Sequence, residues 1–536
     1  MQNIYTSSIK KLLLLLIPAA FALQKANAQQ AEYIPYSYQF DQKLNSSVYS
    51  VNSDFHTALK PFRVQDTGVT ARYRHLLQLG VDSSYKQWAW RKLFNEHLFD
   101  DHRQGYTFFA DYLPDLQIGR EFNNKDNTFI NTRGYQLGGT IGSNFYFYSS
   151  GYEDQARFPL YYKTYVNQIG FVPGEAYDRD QPTSAVADWS YVTAIVSYSP
   201  SKHLNFTLGQ DKTFIGDGYR SLLLSDWAAP YPLLRVTANL GPVQYMMMWT
   251  NMEDIQLPSF DSYGNNRRKW AEFHYFDWNV TKRFSLGFFN AIIIGAADNN
   301  GVQHGFDINY VNPILFASSI GTKTPYADNV LSGFTGKYKI LNKTAVYGQV
   351  LFDRFSQGTA PANTGGFQLG FRGADLFGVN NLNYLAEYNT VKPYTYSSPQ
   401  VITNYTDYSQ SLGDPLGANF KEAIGILDYS LGKFDLQGEL EYAQLGLDAN
   451  STEDFGSDLL LAYPPAPVPA TYTGAGVNTH LYYGEGTLSY LINPKYNLRI
   501  EGGLLLRDEK SALTNSKTTM ITFGLRSTFR DLYHDF

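Results

Sequence analysis

The 536-residue chain contains no cysteine, which excludes a disulfide framework, a thiolate metal site and a lipid-modified N-terminal cysteine. Charge is also scarce. Only 17% of residues are charged and the net charge is −6, so no basic footprint for nucleic acid is present. Beyond Leu23 no run approaches the roughly 18 consecutive apolar residues that a membrane-crossing helix needs.

Aromatic residues, by contrast, are abundant: 43 Tyr and 36 Phe bring the aromatic share to 16%. A membrane β-barrel produces this mixture, because its lipid face needs apolar and aromatic side chains while its lumen stays polar. A secreted β-sandwich or lectin would produce it too. At the N-terminus, Lys10 and Lys11 precede an apolar stretch from Leu12 to Leu23 and the small residues Ala26-Asn27-Ala28. This reads as a cleaved signal peptide over residues 1–28, with the mature chain starting near Gln29.

Period-2 alternation separates the barrel from the sandwich. Phe434, Leu436, Gly438, Leu440 and Tyr442 alternate with Asp435, Gln437, Glu439 and Glu441. Leu498, Ile500, Gly502, Leu504 and Leu506 stand against Arg499, Glu501 and Arg507, and Phe367, Leu369 and Phe371 against Gln368 and Arg372. The charged face is predicted to look inward. Further strands are predicted at Leu137 to Tyr148, Tyr191 to Tyr198, Leu204 to Gln210, Val346 to Asp353, Leu382 to Tyr388, Ala423 to Leu431 and Tyr482 to Tyr490. The segments Val243 to Trp249, Trp270 to Val280 and Phe284 to Ile294 are more uniformly apolar and do not fix a phase. The fold class is therefore all-β, a transmembrane outer-membrane barrel of about 16 to 18 antiparallel strands. Its final strand carries Ile521, Phe523, Leu525 and Phe529 on one face, and the closing Phe536 looks like the aromatic signal read by barrel-assembly machinery.

Residues 29–133 read as a periplasmic, partly helical region with the first strand or strands, and 134–536 as the barrel. Helical spacing is suggested around Trp88, Leu93, Glu96 and Phe99. Asp454 to Gly476, with Pro464, Pro465, Pro467 and Pro469, and Tyr396 to Asn419 read as long extracellular excursions.

No motif points to catalysis, a cofactor or a metal. Nine His residues are scattered without H-E-x-x-H spacing, and no nucleophile elbow or phosphate loop occurs. Glu439 and Glu441 share one strand face and are expected on a solvated lumen wall. The chain is expected not to be an enzyme.

One segment departs from strand patterning: Gly209 to Asp226, with Asp211, Lys212, Gly216, Asp217, Gly218, Arg220, Ser221 and Asp226. Glycines on both sides of Asp217 allow a tight, positive-φ backbone. The segment is either a charged turn or an inward-folded element that constricts the lumen or positions a ligand. Together with Ala229-Pro230-Tyr231-Pro232, Asn312-Pro313-Ile314, Tyr347-Gly348-Gln349, Asp353, Lys392 to Tyr396, Asn404-Tyr405-Thr406 and Pro415 to Phe420, it resembles the Wzi-type capsule assembly family. The resemblance is closer to the Bacteroidetes branch of the gliding motility protein RemB.

The resemblance implies a barrel of about 18 strands with a small helical N-terminal part, acting as a lectin for surface polysaccharide. Trp227, Tyr231, Asn404, Tyr405 and Asp407 are candidate sugar contacts, since aromatic faces stack on sugar rings while Asn and Asp bond hydroxyls. Expected partners are outer-membrane lipid, capsule or exopolysaccharide, and the barrel-assembly machinery. A gliding-motility or adhesion role is the close alternative, and a diffusion porin the second.

Overall fold

The computed structural model describes residues 36–462 and 472–536, apart from 65–66, 82–83, 181–183, 256–265, 297–304, 307–309, 318–328, 354–363, 451–452 and 531; Glu32–Tyr33 is described as a short strand. The expected signal peptide and the four prolines of the expected Asp454 to Gly476 excursion lie outside the described residues.

Eighteen antiparallel strands close into one barrel. The first six are β1 (Tyr106–Glu121), β2 (Asn127–Ile141), β3 (Phe145–Arg157), β4 (Ala187–Ser201), β5 (Leu204–Asp211) and β6 (Tyr231–Asn239). They continue with β7 (Val243–Asp254), β8 (Arg267–Asn279), β9 (Phe284–Gly295), β10 (Asn329–Leu341), β11 (Thr344–Asp353) and β12 (Gly365–Gly373). The last six are β13 (Leu382–Val391), β14 (Phe420–Leu431), β15 (Phe434–Leu447), β16 (Val477–Asn493), β17 (Leu498–Lys510) and β18 (Asn515–Ser527). Closure pairs β18 with the second half of β1, Met520 opposite Glu121 and Leu525 opposite Leu116. The first half of that β1 edge is covered by Phe99–Arg103, so this edge is paired on both halves.

The alternation has the sign of a membrane barrel. On β15, Leu440 is 72% exposed while its neighbours Glu439 and Glu441 are 6% and 5% exposed. The same inversion holds on β17, where Ile500, Leu504 and Leu506 face out and Arg499, Glu501 and Arg507 face in, and on β12. Water would penalise such an exterior, whereas hydrocarbon favours it. Outward aromatics gather near both rims. Phe145 packs on Tyr198 (centroids 5.3 Å apart) and Phe434 on Tyr490 (5.0 Å) at one end. Phe367 with Tyr388 and Tyr442 with Tyr482 lie toward the other. These are the girdles expected at the two membrane interfaces.

The turns after β2, β4, β6, β8, β10, β14 and β16 are tight, whereas 158–186, 212–230, 392–419 and 448–476 are long. The barrel therefore has a short-turn end and a long-loop end.

Several expectations need correction. Leu137 to Tyr148 is not one strand: β2 ends at Ile141 and β3 begins at Phe145, because Gly142 at φ +63° turns the chain. The barrel begins at β1, and β2 crosses the expected 133/134 boundary. Helices do occur in the N-terminal region: α1 (Tyr38–Gln42), α2 (Asn45–Val48), α3 (Thr67–Leu76) and α4 (Trp88–Phe94). Part of this region enters the lumen rather than standing apart from the barrel. β18 ends at Ser527, and residues beyond it fold inward. Phe529 packs against Phe40 (5.6 Å), and Phe536 against Tyr162 and Trp227, so Phe536 does not lie on a membrane-facing strand. The Tyr396 to Asn419 segment is not an excursion, since Tyr396, Ile402, Tyr405 and Leu412 are fully buried.

Candidate functional site

The lumen is filled by the chain itself. From the short-turn end come residues 36–64 and the tail 528–536; from the long-loop end come 212–230, 392–419 and the loop carrying α5 (Leu160–Ile169). Segment 212–230 lies at the centre, and its order follows from how its backbone is satisfied. Phe214–Ile215 pairs antiparallel with Leu59–Lys60, and Gly216 N–H donates to the Ala58 carbonyl at 2.7 Å. Ser221 Oγ donates to the Ile215 carbonyl (2.6 Å) and accepts from the Leu223 and Leu224 amides, which closes a compact turn.

Wall residues then clamp this turn. Gln349 on β11 accepts from the Leu222 amide (2.9 Å) and donates to the Ile215 carbonyl (3.0 Å). Glu387 on β13 accepts the Tyr219 and Arg220 amides, 3.0 Å each. Gln368 and Arg372 on β12 donate to the Arg220 and Asp217 carbonyls. Tyr396 and Tyr405 donate to the Leu222 and Leu223 carbonyls at 2.7 and 2.5 Å. Pieces scattered over residues 209–420 are thus brought to one place by the fold.

Each candidate residue of the segment has an internal role. Asp217 accepts from Tyr49 Oη (2.8 Å) and Thr57 Oγ1, with Lys337 Nζ at 3.7 Å. Burial alone would raise its carboxyl, but Lys337, Lys60 and these hydroxyls hold it below the usual range. Of the two glycines expected to allow a positive-φ backbone, Gly216 has φ +150°. Gly218 is needed for a different reason: an added Cβ would collide with the Glu387 carboxylate and the Arg220 carbonyl. Arg220 reaches Glu422 and Glu441 (3.3 Å each) and Asp535 (2.9 Å). Lys212 Nζ donates to the Asp226 carbonyl (2.8 Å), and the Asp226 carboxylate accepts from Tyr533 Oη. Asp211 closes β5 beside this group, opposite Tyr231 on β6.

The five expected sugar contacts are all buried. Trp227 packs on Tyr533 and Phe536 (5.4 Å each). Tyr231 belongs to the apolar cluster around Leu222, Leu223 and Leu224. Asn404 accepts from Lys269 Nζ (2.8 Å), Tyr405 is engaged as described, and Asp407 accepts from the Glu253 amide (2.9 Å). None offers a face to an external ligand in this arrangement. Glu439 and Glu441 are likewise buried rather than on a solvated wall, because the tail fills the lumen beside them.

Sequence reasoning missed the accessible aromatic surface. Tyr177, 57% exposed, stands edge-on to Phe171 (5.6 Å), which stacks on half-buried Tyr408 (4.6 Å). Exposed Arg179 next to it is fixed by Asp188 and Glu153. All belong to the long-loop end or the strand tips below it.

The fold and its filled lumen define a lipid-facing 18-strand barrel of the outer-membrane class, closed by its own segments. Among solved structures, the chain is similar to that of Wzi from Escherichia coli, an outer-membrane protein involved in group 1 capsule assembly and described as a carbohydrate-binding β-barrel. The likeness has a TM-score of 0.54 at 13% identity and covers 94% of this chain and 100% of that one. OprD from Pseudomonas aeruginosa matches with a TM-score of 0.42 at 9% identity, covering 80% of this chain and 98% of that one. OccAB2 from Acinetobacter baumannii matches at 0.41 and 10%, covering 78% and 97%. No family model and no curated protein matches the sequence. The likeness to Wzi establishes the fold.

Proposed function

We propose that this protein is a non-enzymatic outer-membrane barrel that binds surface polysaccharide at its long-loop end and supports capsule or exopolysaccharide assembly. The observation that carries the reading is the combination of a lumen filled by five segments of the chain with an aromatic and charged surface at the long-loop end. A closed lumen suits display and binding rather than diffusion, and an exposed Tyr177 beside Arg179 suits stacking on a sugar ring and bonding its hydroxyls or acids. Long loops conventionally lie outside the cell, which supports an outward-facing position for this surface. The whole-length likeness to a carbohydrate-binding barrel is consistent with it.

The test is titration of the detergent-folded barrel with the host's purified surface polysaccharide. Saturable binding that weakens in Tyr177→Ala is the expected result; no binding by a demonstrably folded barrel overturns the reading.

A further inference from the structure

Inside the barrel, carboxylates outnumber cations on one wall. Glu439 and Glu441 project inward two residues apart on β15, and Asp535 comes to meet them from the tail; one carboxylate oxygen from each lies within 4.8 Å of the others. Arg220 is the guanidinium that touches this group, and it is shared among Glu422, Glu441 and Asp535. Glu439 is 6% exposed, and among the described residues no hydrogen bond or ion pair reaches it; its Oε1 and that of Glu441 are buried without a partner among them. Glu439, Glu485 and Asp535 line a cavity of about 120 Å³ between the tail, α1 and the wall. Tyr219 Oη fixes the Asp535 carboxylate from the opposite side, donating to it at 2.7 Å.

Buried carboxylates without a compensating charge are expensive, and the guanidiniums that also line the cavity, Arg499, Arg526 and Arg530, are paired with Glu501, Asp115, Asp154 and Glu175 rather than with this cluster. The group whose donor atoms converge is all oxygen, and His534, which also lines the cavity, is not within mutual reach of the three; such a set selects a hard cation rather than zinc or copper. The cavity is roomy enough for an ion that keeps some of its waters. We infer that Glu439, Glu441 and Asp535 form a divalent-cation site, of the calcium or magnesium class, that ties the tail to the barrel wall. Because Tyr219 and Arg220 bind the same Asp535, the ion would also brace the central segment of the plug.

The experiment uses the full chain, refolded in detergent and stripped with a chelator, then titrated with CaCl₂ and separately with MgCl₂ by calorimetry and thermal unfolding. Saturable binding near one ion per chain, with a raised unfolding midpoint, is expected for at least one of the two ions. Glu439→Gln, which has no partner among the described residues to lose, is expected to fold and to weaken that binding at least tenfold; Asp126→Asn in the exposed turn between β1 and β2 is expected to leave it unchanged. A folded barrel with no response to either ion overturns the site, as does binding that survives Glu439→Gln. A Glu439→Gln protein that is more stable than the parent, with no metal response in either, means that protons neutralise the cluster and also overturns it.

Discussion

Glu387 holds Arg220 by its backbone: Oε1 accepts the Arg220 amide at 3.0 Å while Oε2 accepts the Tyr219 amide at the same distance. The Arg220 guanidinium is thereby left free to reach across the lumen to Glu422, Glu441 and Asp535. Removing the carboxylate strands two buried amides. Glu387→Ala is expected to destabilise the folded barrel by about 3 kcal/mol, measured by thermal unfolding in detergent, since hydrogen bonds to charged groups contribute about 1.5–3 kcal/mol each. Glu387→Gln, which keeps one acceptor, should cost less.

The filled lumen makes a statement about conductance. In planar bilayers the parent protein is expected to stay closed, because segments 36–64, 212–230 and 528–536 occupy the path through the barrel. Truncation after Ser527 removes Arg530, Tyr533 and Asp535 together with their bonds to Asp154, Asp226 and Arg220. Channel events should then appear or rise in frequency. A parent protein that conducts steadily would argue for the porin reading.

Two aromatic groups near the long-loop end should respond differently to substitution. Tyr177→Ala removes an exposed ring and is expected to weaken polysaccharide binding about tenfold, or about 1.4 kcal/mol, without changing the unfolding midpoint. Tyr405→Phe removes the bond to the Leu223 carbonyl and should cost about 1 kcal/mol of stability. Its effect on affinity should be small, since that ring is buried. The two measurements on each variant separate contact from support.

Much of the barrel was legible because its outer and inner faces differ in solvent. On β15 and β17 the inward acids and arginines wrote the phase directly into the sequence. β7, β8 and β9 hid theirs for a physical reason. Their inward Met246, Met248, Phe273, Phe289 and Ile293 form one apolar cluster with Leu222, Leu223 and Leu224 of the inserted segment, so part of the inner face of these strands is apolar as well. That local loss of alternation was itself a trace of the plug. The segment around Asp217 stood out by its glycines and charges, but its partners Gln349, Glu387 and Tyr405 lie 127 or more residues away, beyond the reach of spacing. The residues expected to contact sugar are buried: Trp227 and Tyr405 look like ligand platforms in sequence, yet their rings pack into the interior of the lumen.

Helix α4 carries an interfacial prediction. Trp88 and Trp90 are 61% and 47% exposed, Arg91 and Lys92 are interleaved with them, and no residue of the helix is buried. Asn493 and Tyr496 at the β16 to β17 turn bond the Lys92 carbonyl (2.9 and 3.1 Å), which places the helix at the short-turn rim. Amphipathic aromatic residues at that level insert among headgroups. In vesicles containing brominated lipid, Trp fluorescence should be quenched less in the Trp88→Phe, Trp90→Phe double variant than in the parent, after scaling to the remaining tryptophans.

Asp217 should set part of the acid sensitivity. Its carboxyl in the folded chain lies below its ordinary value of 3.8, since Lys337, Lys60, Thr57 and Tyr49 outweigh the burial that would raise it. A depressed acid pKa stabilises the folded state above the ordinary value, and the contribution disappears as pH falls through the lower, folded value. Asp217→Asn leaves Lys337 facing a neutral amide and should cost about 3 kcal/mol at neutral pH. The variant's midpoint should then decline less steeply than the parent's below pH 3.8, so the two curves converge in acid. Parallel curves over that range would show that Asp217 does not titrate with unfolding, and that its role is confined to shape.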